Sequence, residues 1–125
     1  YNRALASYQS QKYDEAVQLF TEFISKEPNL PQVYEYRAFS YFFTKQYQAS
    51  INDLDKMFSF GVKRPNLLNL KGVNLQSLGK TDEACSFYKA AMQAGNKDGA
   101  TNYNRFCGGG QQVQQTVNNP LLRKK

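Results

Sequence analysis

Tyr13-Asp14-Glu15-Ala16 is answered 34 residues later by Tyr47-Gln48-Ala49-Ser50 and, after 34 more, by Thr81-Asp82-Glu83-Ala84. Small residues one helix earlier keep the same step, at Ala4, Ala38 and Gly72. A fixed period of this length marks a helical hairpin repeated along the chain. Each hairpin leaves an apolar face that only the next can cover, so the array folds as a stack. Such a stack offers a shared surface for its work instead of an enclosed catalytic pocket.

The 125 residues are one domain's worth of chain. Hydrophobic residues make up 41%, and no apolar run approaches the ~20 residues that a membrane-spanning helix needs. Tyr1 reads as lying inside a helix, so the chain is expected to be a segment of a longer protein, and the want of a signal peptide carries little weight. Half of the +6 net charge sits at Arg123, Lys124 and Lys125, leaving +3 for a body in which acids and bases interleave. Without a basic stripe threaded with aromatics, nucleic acid is not the expected partner.

Apolar residues at three- and four-residue steps place seven helices. They run over about 1–9, 13–26, 32–43, 47–59, 66–78, 81–94 and 98–106. Asp14, Glu15, Asp82 and Glu83 fall in first turns, where the helix dipole favours negative charge. Pro28 and Pro31 read as punctuation, Pro65 as a helix start and Gly61 as a helix stop. The third helix is densely aromatic, with Tyr34, Tyr36, Phe39, Tyr41, Phe42 and Phe43. After Gly108-Gly109-Gly110, residues 111–125 are rich in Gln and Asn and read as a linker or tail. Val113 and Val117 allow one helical turn there, and Pro120-Leu121-Leu122 allows self-association through a neighbour's groove.

No catalytic constellation emerges. Histidine is absent, so acid–base work would fall on carboxylates, Lys, Tyr or Cys. Asp53 and Asp55 point in different directions on one helix and read as solvated charges. The glycine run lacks the Lys-Ser/Thr of a phosphate loop, and Cys107 has no histidine to activate it. Two cysteines alone cannot make a structural zinc site. No catalytic residue, metal or cofactor is expected.

The helix pairs resemble the tetratricopeptide-repeat (TPR) family over about residues 1–107. The matching residues are Ala4, Tyr13, Ala16, Phe20 and Pro28 in the first unit. The second supplies Ala38, Tyr41, Tyr47, Ser50 and Leu54, and the third Gly72, Leu75, Gly79, Ala84, Tyr88 and Ala91. Departures are modest: Val62 stands where a proline is expected, and Thr81 replaces the tyrosine. The resemblance implies an all-α fold of antiparallel helix-turn-helix repeats stacked into a short right-handed superhelix. Its units are about 1–30, 31–64 and 65–98, with a capping helix over 98–107 and a Gly/Gln/Asn-rich tail over 108–125.

The family's concave groove is lined by the first helix of each pair. Carried onto this chain, its positions are Leu5, Tyr8 and Gln9, then Gln32, Glu35, Tyr36, Phe39, Phe42 and Phe43. Asn66, Asn69, Leu70, Val73 and Gln76 complete them in the third unit. Phe42 is read as core ahead of groove. Some family members hold acidic chaperone tails with a carboxylate clamp of Lys and Asn in the first unit, Asn in the second, and Lys and Arg in the third. The matching positions here hold Tyr1, Leu5, Tyr36, Asn66 and Leu70, so clamp-type docking is not expected.

A narrower likeness joins Glu83-Ala84-Cys85, Tyr88-Lys89-Ala90-Ala91, Gly95-Asn96 and Cys107 to the last repeat of TPR proteins from bacterial cell envelopes. In those, a cysteine on the last repeat's second helix faces one on the capping helix. The likeness implies a Cys85–Cys107 disulfide and an oxidising compartment; two separate buried thiols remain the alternative. The implied function is a non-catalytic scaffold, part of a larger bacterial envelope protein in the periplasm or at the outer membrane, that takes a peptide or helical segment in its groove. A cytosolic adaptor and the helical accessory domain of an enzyme are the alternatives.

Overall fold

A computed structural model describes residues 1–108, and the tail readings at Val113, Val117 and Pro120-Leu121-Leu122 lie outside them. Among the described residues seven helices follow one another: α1 (Asn2–Gln9), α2 (Tyr13–Lys26), α3 (Pro31–Phe43), α4 (Tyr47–Ser59), α5 (Pro65–Ser77), α6 (Thr81–Gln93) and α7 (Lys97–Phe106). The fold is all-α, built from helix-turn-helix repeats. Pro31, expected as punctuation, is instead the first residue of α3, as Pro65 is of α5. A missing N–H costs nothing there, because the first turn has no acceptor for it. At α7 the Asn96 side chain caps the start, accepting from the Gly99 N–H at 2.6 Å.

The repeat extends to the backbone. Gln11, Lys45 and Gly79 follow α1, α3 and α5 at the 34-residue step, and all three have φ between 62° and 81°. Each reverses the chain within a hairpin through the left-handed region. Only the third has the glycine that occupies it without strain.

The helices gather into two compact units, the first Tyr1–Lys63 and the second beginning at Arg64. In the first, Ala4 and Ala16 let α1 and α2 approach, and Phe20 and Val33 are fully buried beside them. Where α3 meets α4, the Ser50 hydroxyl donates to the Ala38 carbonyl at 2.8 Å. Arg37 joins three helices of this unit. Its Nε and Nη2 donate to the two carboxylate oxygens of Asp53 at 2.8 and 2.7 Å, and its Nη1 donates to Thr21 at 3.0 Å. The solvated reading of Asp53 is therefore corrected: it is 4% exposed. Burial pushes its carboxyl up from the ordinary range, and Arg37 works against that rise.

In the second unit glycine sets the helix spacing. A Cβ on Gly72 would lie 2.7 Å from the Tyr88 ring, and one on Gly99 would lie 2.6 Å from the Ala91 Cβ. Tyr88 is fully buried, and its hydroxyl donates to Gln76 at 2.5 Å. Burial raises its phenol to about 12. Cys85 and Cys107 form a disulfide across a Cα separation of 5.7 Å, fastening the end of α7 to the start of α6.

Candidate binding surface

The first unit concentrates aromatic rings along α1 and α3 because the third-helix run of the sequence is spaced to serve two sides at once. Tyr34 is buried, and its hydroxyl donates to the Pro28 carbonyl at 2.7 Å. On the other side a chain of ring contacts climbs out of the core. Buried Phe20 stacks on Tyr36 at 5.8 Å, and Tyr36 meets Tyr8 edge-on at 5.2 Å. Tyr8 meets Tyr13 at 5.7 Å, and Tyr13 stacks on Phe43 at 4.6 Å. Phe39 and Phe42 flank Phe43 at 6.4 and 5.5 Å. Such pairs each add about 0.5–1.5 kcal/mol beyond the area they bury, so the rings hold one another in place. Phe43 ends the chain 48% exposed.

Tyr8, Tyr36, Phe39 and Phe43 are brought together, and all keep some exposure. Leu5 is half-buried and packs against the core of the unit. Gln9 and Gln32 are exposed. Glu35 is partly exposed and close enough to Tyr8 that its charge adds to burial, Tyr13 and Tyr36 in raising the Tyr8 phenol. Phe42, expected as core, is half-buried and lies between Phe43 and Tyr47.

In the second unit Asn66 is exposed, while Asn69 and Val73 are partly so. Leu70 is only 5% exposed. The Asn69 side-chain Oδ1 accepts from the Asn102 side-chain Nδ2 of α7 at 2.9 Å. Neither Tyr13 nor Asn102 was singled out from the sequence as a surface residue. In the sequence Tyr13 belongs to a helix-start motif and α7 has the place of a cap, although the 34-residue step puts α7 where another first helix would stand.

Helix-turn-helix pairs with aromatic rings gathered on one face of the first unit define a helical repeat architecture. Tetratricopeptide-repeat models match residues 1–30 and 65–97. The chain belongs to the tetratricopeptide-repeat family, whose members are generally protein–protein interaction modules. No curated protein matches it.

Solved structures resemble it in fold. The C-terminal part of a TPR repeat-containing protein from Cytophaga hutchinsonii aligns with a TM-score of 0.73 and 22% identity, over 85% of this chain and 43% of that one. A tetratricopeptide repeat protein from Parabacteroides merdae aligns with a TM-score of 0.70 and 26% identity, over 83% and 41%. The first TPR of Spaghetti (RPAP3), bound to the HSP90 peptide SRMEEVD, aligns with a TM-score of 0.76 and 19% identity, over 85% and 86%. The chain thus spans less than half the length of the two bacterial chains.

Proposed function

We propose that this chain is a non-catalytic scaffold that binds a peptide or helical segment of a protein partner across the α1/α3 face of its first unit. The observation that carries this reading is the ring chain from buried Phe20 through Tyr36, Tyr8 and Tyr13 to exposed Phe43. Rigid aromatic anchors, fixed before the partner arrives, supply binding area at little entropic cost. Docking of acidic chaperone tails is not part of the reading, since the clamp positions lack their cations.

The compartment belongs to the same proposal. A disulfide between Cys85 and Cys107 favours an oxidising space, and two fold relatives are bacterial. On this reading the chain works in the periplasm or at the outer membrane, as part of a larger envelope protein. Thiol titration of denatured, unreduced protein from its native source tests the placement: no reactive thiol is expected, and two would refute it.

The binding role is tested by capture from an envelope fraction with the parent chain, with Phe43→Ala, and with Tyr36→Ala plus Phe39→Ala. Circular dichroism first establishes that each variant is folded. Loss of the same partner from both variants is expected; equal recovery of every partner would remove the aromatic face from the account.

A further inference from the structure

We propose that the Cys85–Cys107 bond is a redox-operated catch for α7: an external dithiol that reduces it frees the helix from the second unit, uncovering Tyr88 and Ala91 and releasing the Asn69 side chain. Only the second unit is involved, so the aromatic face of the first stands or falls separately.

The sequence of α7 makes a poor helix by itself. Gly99, Thr101, Asn102 and Asn104 all rank low in helix propensity. Its ten residues are fewer than the ~12–15 below which an isolated helix is marginal in water. Docking supplies little in return. The residue that α7 buries is Gly99, against Ala91, whereas α6 buries Ala84, Tyr88 and Ala91. Phe106 comes within 6.4 Å of the Tyr88 ring centre but stays 39% exposed. A side-chain hydrogen bond from Asn102 to Asn69 ties the helix to α5 at 2.9 Å. The Asn96 cap closes on Gly99, within the α7 segment itself.

The disulfide stands where such a helix needs holding. At its start α7 continues from α6 through the Gly95-Asn96 turn; at its end Cys107 is joined to Cys85, near the start of α6. The Cys107 N–H donates to the Tyr103 carbonyl at 2.9 Å, so the last helical turn runs straight into the bond. Both half-cystines keep partial exposure, which gives a thiolate access from solvent. A dithiol's thiolate attacks one sulfur, releasing the other cysteine and leaving a mixed disulfide; its second thiol then displaces the bound cysteine. Two electrons and two protons pass to the pair, leaving Cys85 and Cys107 as thiols and the dithiol as its own disulfide. The helix is then tethered at one end, and the chain entropy that the bond withheld favours its release. α5 and α6 stay paired, because the Tyr88 ring still fills the space at Gly72 and its hydroxyl still donates to Gln76. Release frees Asn69, a groove position in the family register, so thiol chemistry outside the chain sets access to the second unit. In an oxidising space the catch rests closed.

The intact chain is compared with and without dithiothreitol near neutral pH. One sample is alkylated under native conditions to count thiols, and amide exchange of another is followed by mass spectrometry. With the dithiol, both cysteines are expected to become alkylated and the α7 amides to exchange about tenfold faster or more, while those of α5 and α6 keep their rates. Reoxidation is expected to restore the slow rates. Cys85→Ser with Cys107→Ser is expected to exchange fast at α7 whether or not the dithiol is present. A bond that the dithiol leaves intact in the folded chain, an α7 equally protected after reduction, or α5 and α6 opening together with α7 each overturn the catch. None of these results touches the aromatic face.

Discussion

Arg37 and Asp53 tie α2, α3 and α4 together at one point, with both carboxylate oxygens occupied and two tyrosine rings against the guanidinium. Removing one partner of a buried pair strands the other's charge, whereas removing both need not. Arg37→Met is expected to lower stability by about 3–5 kcal/mol in urea denaturation, and Arg37→Met with Asp53→Leu to recover most of the loss. Tyr88 gives a pH signature. Its phenol stays neutral in the folded state up to about 12, against an ordinary value of 10.0. The unfolded chain therefore loses that proton first as pH rises. The contribution is whole below about pH 10 and is lost as pH climbs through about 12. Tyr88→Phe is expected to flatten the fall in stability across that window, measured by denaturation at stepped pH. Neither feature was legible beforehand. Asp53 and Asp55 look alike in sequence, and only the approach of α3 to α4 makes one a buried partner and leaves the other exposed.

The helices themselves were largely written in the periodicity. α2 and α4 begin and end where the apolar spacing puts them, and the others shift by a residue at their ends. Proline at a first helical position accounts for two of those shifts, since the residue stops one element and starts another with the same chemistry. The small residues at the crossings were legible as a pattern, but their tolerance was not. Gly99 faces the Ala91 methyl and the Met92 backbone, so a methyl there forces α7 away from α6. Gly99→Ala is expected to cost about 1–2 kcal/mol net, because overpacking outweighs the ~1 kcal/mol that alanine gains in helix propensity. Thermal denaturation of the two proteins side by side checks it. The disulfide closes 22 residues of separation, worth about 3 kcal/mol in the chain-entropy account. Serine at both Cys85 and Cys107 is expected to lower stability by about 2–4 kcal/mol and to make the α7 amides the first to lose hydrogen-exchange protection.

At the scale of the molecule, the 34-residue step led to the fold and the family, and family groove positions led to Tyr8, Tyr36, Phe39 and Phe43. Ring geometry was beyond it, because contacts such as Tyr13 on Phe43 join residues 30 apart that no local spacing relates. Leu70 shows the opposite limit: a groove position in the family register can still be buried. On the proposed reading, a protein partner is engaged by the α1/α3 aromatic face. This engagement is tested most directly by a benzophenone amino acid placed at Phe43, with Lys56 on α4 as the control position, and illumination of cells that make the protein. A discrete crosslinked partner is expected from position 43 and none from position 56. The same partner crosslinked from position 56 and not from position 43 would contradict it.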